Sequence, residues 1–527
     1  MSAKRPALLL FCILLAACGR DSITETPDAL CSIGLLASSA ELSPGGSTDI
    51  LFTLSNAPEA FEASLRLSDG SAPQYFSLAG VSPTGVDGTY AAAVSDNCLA
   101  AAYSNEVCVV VSDGSGAGRQ AASDYICVNC GQGGFPSSVR TGLPVIHIDT
   151  QGHKPIESKG VELPATVRIQ GDGAYADMQP HSCTISGRGN ASWKFDKKPY
   201  KLTFRDRVPM LGMPEGGSWI LLANFVDRTL MRNIIAMQVS SLTSLAWTPR
   251  CVPVELVLNG THIGNYLLSE QVEVDENRVA VSRNDGFLLE TDFHYDNDIQ
   301  WLDPHGISFL HLGTPFAVRY PLPGSLREEQ ESYIKDYVSG AADAIYSSGF
   351  ADPESGYSKW IDVGSFVDYW IVNEVLGNLD ISSPGSVFIH KDGAGKLVAG
   401  PCWDFDWCLT DYATSIQEWT AAVNTTPFWY SRLFKDPEFT ASVKRRFAEL
   451  LPRLQEVADY IDGCREMLAA SAELNFALWN PADDRWHNKG LLVNGDENLQ
   501  FGEAVDLLRK VYLRRLELIG QYFDKYE

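Results

Sequence analysis

The stretch from Asn373 to Trp407 constrains this chain most, because a helix end, a tight hairpin and three aspartates follow one another within it. Ile371 to Leu376 reads as the close of a helix, and Ser386 to His390 as a short strand. Asp392-Gly-Ala-Gly-Lys396 reads as a turn, with Lys396 to Ala399 returning as the partner strand. Asp380 then falls at one end of the hairpin, and Asp404 and Asp406 at the other. On an extended segment, residues i and i+2 point to one face, so Asp404 and Asp406 are expected to share a side. Phosphoryl transfer needs such a set: one carboxylate beside the attacking hydroxyl, others holding Mg²⁺ against phosphate oxygens. The structural alternative is that Asp380 caps a turn and Trp403 to Trp407 is an amphipathic strand packed by its aromatic rings.

Further blocks precede this stretch in a fixed order. They are Leu143-Pro-Val-Ile-His-Ile-Asp149, Gly187-Arg-Gly-Asn190-Ala-Ser-Trp193 and Lys197-Lys-Pro-Tyr-Lys201-Leu-Thr-Phe204. Then come Trp219-Ile-Leu-Leu-Ala-Asn224, Asp227-Arg228-Thr-Leu-Met-Arg232-Asn233, Gly264-Asn-Tyr266-Leu-Leu-Ser-Glu270 and Gly286-Phe-Leu-Leu-Glu290. Taken together with Asn378, Asp380 and Trp403-Asp404-Phe-Asp406, this ordered set resembles the CotH kinase family of atypical protein kinases over roughly residues 142 to 450.

The resemblance implies roles for single residues. Asp380 would position or deprotonate the acceptor hydroxyl, and Asp404 would hold the metal, with Asp406 beside it. Trp403 would stack on adenine. Lys198 or Lys201 would reach the nucleotide phosphates, and alternation along Tyr200–Phe204 favours Lys201; a solvated strand edge is the alternative for either. Arg188, in a glycine-flanked turn, either binds phosphate through its fork or pairs with a structural acid. Glu270, at the end of an expected strand, holds a lysine or the hinge, or is a buried acid with a cation partner. A helix starting near Asp227 would place Arg228 and Arg232 on one face. In many members of the family an asparagine stands six residues after the catalytic aspartate, and here the position is Ser386, a neutral and weaker metal ligand. The implied cofactors are ATP and Mg²⁺, or Mn²⁺ in its place.

The start of the chain addresses location. Lys4 and Arg5 precede an apolar run to Leu15, which closes in Leu15-Ala-Ala-Cys18-Gly. This is the pattern of a lipoprotein signal with its lipidation site at Cys18, the alternative being an ordinary cleaved secretory peptide. The expectation is a protein of the bacterial cell envelope, lipid-anchored at the outer membrane or cell surface. Setting Cys12 and Cys18 aside from the twelve cysteines leaves ten, an even number that permits disulfides in an oxidising compartment. No second half-site follows Cys127-Val-Asn-Cys130, which argues against zinc there.

The net charge of −25 disfavours nucleic acid and an anionic membrane face as partners. It suits a basic or Ser/Thr-rich exported protein as substrate, with the membrane engaged only through the lipid. The expected fold class is α+β: a two-lobed atypical protein-kinase-like domain preceded by an all-β immunoglobulin-like sandwich. The expected division is a signal over 1–17, an anchor linker over 18–29, the sandwich over 30–135, a kinase-like domain over 140–455 and a helical C-terminal part over 456–527. Three functions fit: a kinase for exported proteins, a non-catalytic glycan or peptide binder, and another transferase on the same scaffold.

Overall fold

The computed structural model describes residues 31–524 except 38, 43–45, 59, 68–69, 98–102, 114–119, 131–140, 292–299, 306–312, 379–384, 411–428, 480–494 and 497. Asp380 and Cys18, with the whole signal and anchor segment, lie outside the described residues. The fold is α+β. Its contacts divide into two units, one holding residues up to Asp172 with Asp177–Ile185 and Glu255–Ile263, the other Gly173–Ala176, Ser186–Val254 and the chain from Gly264 onward.

The first unit begins with two four-stranded sheets. One has the order β1 (Ser32–Leu35), β3 (Ser47–Ser55), β6 (Thr89–Asp96), β5 (Phe76–Pro83), and the other β2 (Ser39–Leu42), β8 (Gln120–Cys130), β7 (Tyr103–Ser112), β4 (Glu62–Arg66). Period-two burial drives this arrangement: Ile50, Phe52 and Leu54 on β3, Val107, Val109 and Val111 on β7, and Ile126 and Val128 on β8 enter one shared core.

Seven later strands close into a barrel in the order β10 (Leu163–Gln170), β11 (Met178–Gly187), β12 (Tyr200–Met210), β13 (Met213–Leu222), β15 (Thr261–Glu270), β14 (Cys251–Leu258), β9 (Val145–Thr150). Closure depends on the parallel pairing of Glu255–Leu258 with Val145–Ile148, more than a hundred residues away in sequence. A further sheet, all antiparallel, has the order β17 (Gln300–Asp303), β18 (Thr314–Tyr320), β16 (Phe287–Thr291), β19 (Val387–Lys391), β20 (Leu397–Ala399). Its last two strands are the hairpin expected from Asp392-Gly-Ala-Gly-Lys396.

Six helices belong to the second unit among the described residues: α1 (Arg232–Ser241), α2 (Glu328–Tyr346), α3 (Val363–Leu376), α4 (Tyr430–Leu433), α5 (Pro437–Leu478) and α6 (Phe501–Asp524). The expected helix start near Asp227 is corrected to Arg232. Leu230 takes a left-handed backbone (φ 57°), and the Asp227 carboxylate accepts from Thr229 N and Arg232 N, so residues 227–231 form a turn ahead of the helix. Asp362 caps α3 by accepting from Ser365 N at 2.8 Å, and Gly377, at φ 55°, ends it. Asp436 caps α5, with Pro437 in its first turn. This helix runs unbroken through residue 455, where a boundary is expected from the sequence.

Helix α3 is buried almost all round, which fits its run of Phe366, Val367, Tyr369, Trp370, Ile371 and Val372. Helices α5 and α6 pack against it. Arg515 on α6, fully buried, donates to the Glu374 carbonyl at 3.0 Å through Nε and ion-pairs with the Glu374 carboxylate. This clasp holds the last turn of α3, from which the chain leaves toward Asp380. Replacing Arg515 by Leu leaves a buried carboxylate without its cation, and should lower stability to urea by about 3–5 kcal/mol, read as a reduced unfolding midpoint at unchanged slope.

Candidate active site

The site is built from three parts of the second unit. The first is the turn after β11. A Cβ on Gly187 would fall 2.3 Å from the Trp193 ring, and Gly189 sits at φ 81°, so both glycines are required for the chain to double back here. Arg188 between them is half-buried, with its guanidinium carbon 5.7 Å from the centre of the Trp403 ring.

The second part is the chain after β20. Trp403 to Trp407 forms no strand, which corrects the extended segment expected there: Asp404 adopts φ 64°, a backbone that aspartate tolerates better than most residues. Its conformation is held from both sides. Ser386 Oγ donates to Asp404 Oδ2 at 3.2 Å, and Phe405 N donates to Asn233 Oδ1 at 3.1 Å. Trp403 is buried among Ile220, Met237, Val272, Leu288 and Phe388.

The third part is the start of α1. Asn233 Nδ2 donates to Asp406 Oδ1 at 2.5 Å, so one amide fixes both Asp406 and the backbone preceding it. Behind Asn233, Arg232 is fully enclosed. It ion-pairs with Asp227, reaches Asp496 Oδ2 at 2.7 Å and donates from Nε to the Cys408 carbonyl at 2.8 Å. Both carboxylates favour its charge strongly enough that its pKa is raised despite burial.

Asp404 and Asp406 therefore meet in one place without a shared strand. Burial pushes the Asp404 carboxyl up, opposed by the Arg188 charge and the Ser386 hydrogen bond. Burial, and next the Asp404 charge, push Asp406 up to about 7, with Asn233 and Arg188 acting the other way. Arg188 feels Asp404, Asp406 and Glu290, and burial lowers its own pKa. One guanidinium thus faces two acids whose charged forms burial disfavours most, the Asp404 charge adding to this at Asp406. Two carboxylates and a hydroxyl form an oxygen donor set that fits Mg²⁺ or Mn²⁺, and a divalent ion would relieve that repulsion.

The other expected residues have partners of their own. Lys198 donates to the Trp193 carbonyl at 2.9 Å, and Lys201 acts on Glu273. Glu270 holds no lysine: it is fully buried and accepts from Arg250 N at 2.8 Å and Arg250 Nε at 3.0 Å. Of the three neighbouring lysines, Lys197, which sequence reasoning passed over, is the enclosed one. Its Nζ donates to the carbonyls of Ala223, at 2.7 Å, and Asn265, and to Asn475 Oδ1 at 2.8 Å, and lies 4.6 Å from the centre of the Tyr266 ring. Asn233 was also passed over, although it closes the Asp227–Asn233 block that the sequence singles out. Arg228, off the helix, donates to the Leu499 carbonyl at 2.7 Å.

The profile of the CotH kinase protein family matches residues 185–519, more than half of the chain, and the chain belongs to that family. No curated protein matches it. The matched span contains Arg188, Asn233, Ser386, Asp404 and Asp406, and so all of the site just described.

A pH dependence follows from Asp406. The folded chain keeps this proton up to about 7, whereas an unfolded aspartate releases it near pH 4, so ionisation favours the unfolded chain and stability falls as pH rises between about 4 and about 7. In metal-free buffer, Asp406→Asn should flatten that part of the melting-temperature profile relative to the unsubstituted chain.

Proposed function

We propose that the chain is an atypical kinase of the bacterial envelope, transferring the γ-phosphoryl group of ATP to Ser or Thr hydroxyls of exported proteins. The single observation that carries this reading is the meeting of Asp404, Asp406 and Arg188 inside the span matched by the family. Mg²⁺, when bound by Asp404 and Asp406 with Ser386 as a weak neutral neighbour, would supply charge neutralisation at the phosphate oxygens. Arg188 is the cation that acts on both acids, so we assign it the phosphate contact that the resemblance gives to Lys198 or Lys201. Trp403 would stack on the adenine, as the resemblance implies. Asp380 takes the acceptor proton as the hydroxyl oxygen bonds to phosphorus and the bond to the β-phosphate oxygen breaks. Asn233 keeps Asp406 in place throughout.

In this reading the two sheets of β1–β8 form an immunoglobulin-like spacer, Cys18 carries the lipid, and the chain from residue 140 onward forms the two lobes of a kinase. The acidic surface would steer basic protein substrates by charge. Ser386 supports a second reading, a glycan- or peptide-binding protein on the same scaffold, because serine at this position weakens the metal site.

Calorimetric titration with ATP separates the two. Saturable binding that requires Mg²⁺ and disappears in Asp404→Ala supports the kinase, and Ser386→Asn should then tighten Mg²⁺–ATP binding. Absence of both heat and thermal stabilisation at millimolar ATP, with Mg²⁺ present, would overturn the kinase reading in favour of the binding protein.

A further inference from the structure

A separate set of ligand-type side chains lies wholly within the first unit. Glu106 stands on β7, Asp149 near the end of β9, and His153 at the close of the single 3₁₀ turn Gln151–His153. One donor atom from each lies within 4.8 Å of the other two. His153 Nε2 is 2.9 Å from Glu106 Oε2, and the imidazole packs against Tyr125 with ring centres 4.9 Å apart. The other ring nitrogen, Nδ1, is buried with no hydrogen-bond partner.

The framework around these three groups is tied down. Beside Glu106, Asn105 Nδ2 donates to the Gly260 carbonyl at 3.1 Å, and beside Asp149, Thr150 donates from N and Oγ1 to Asn259 Oδ1 at 2.8 and 3.1 Å. The β14–β15 turn thus fixes the backbone next to two of the three donors. Glu106 and Asp149 thus bring two carboxylates together under partial burial, where like charges repel. A divalent ion is the species that would neutralise both acids at once.

We propose that Glu106, Asp149 and His153 form a metal site that binds one divalent ion of the zinc class. The imidazole sets the choice: Mg²⁺ and Ca²⁺ take oxygen ligands, whereas one nitrogen and two carboxylate oxygens suit Zn²⁺, with water completing the shell. Glu106, its side chain 34% exposed, gives the ion a way in. The ion joins β7 to the end of β9, so its role is to stabilise the first unit. The inference is independent of the kinase reading.

The test uses the whole chain, stripped with chelator and carrying Asp404→Asn and Asp406→Asn so that the candidate active site does not compete. Titration with ZnCl₂ should show one saturable equivalent and raise the melting temperature, and MgCl₂ should do neither. Adding Asp149→Asn or His153→Gln should weaken Zn²⁺ binding by at least about tenfold. The metal-free melting temperature checks that each variant folds, and Glu106→Gln replaces any that does not. Absence of saturable Zn²⁺ binding, or binding unaltered in the folded variants, would overturn the proposal.

Discussion

Everything at the candidate active site rests on the enclosed guanidinium of Arg232. A buried charge is tolerable only where partners surround it, and this one has Asp227, Asp496 and the Cys408 carbonyl. Those partners come from the turn before α1, from the chain shortly before α6, and from just beyond the Trp403–Trp407 segment. Satisfying one side chain therefore fixes three stretches of chain, and Asn233, the next residue, inherits a fixed position from which it grips Asp406.

On that frame sits a deliberate imbalance of charge. Arg188 offsets part of the negative charge of Asp404 and Asp406 but leaves Asp406 with a raised pKa. A site fully neutralised by its own arginine would gain little from a cation. One left short by about a unit of charge is the arrangement that a metal ion would complete.

Much of this was legible in the sequence, and the limits are physical. Local signals placed the β19–β20 hairpin and the end of α3, because turn glycines and apolar periodicity act over a few residues. Acids and arginine spaced across Gly187–Asn190 and Trp403–Trp407 pointed to one site, because the ordered blocks constrain each other. Closure of the barrel was not legible, since it depends on one parallel pairing distant in sequence. Nor was the environment of Lys197, close to Lys198 and to the Lys201 that alternation favours: which of three neighbouring lysines is enclosed depends on Ala223, Asn265 and Asn475 arriving from separate elements. The left-handed turn at Asp404 was hidden for a similar reason, because Asp-x-Asp reads equally well as strand until Ser386 and Asn233 are in place.

The backbone of Asp404 has an evolutionary consequence. A position at φ 64° admits asparagine, aspartate and glycine at modest cost and penalises other residues. Glutamate, equal in charge, would meet that penalty and overshoot the Ser386 hydroxyl as well. The shape of the turn thus narrows the paths open to drifting descendants: those that lose the carboxylate should pass to asparagine or glycine, so that loss of the charge in this lineage need not leave a scar in the architecture.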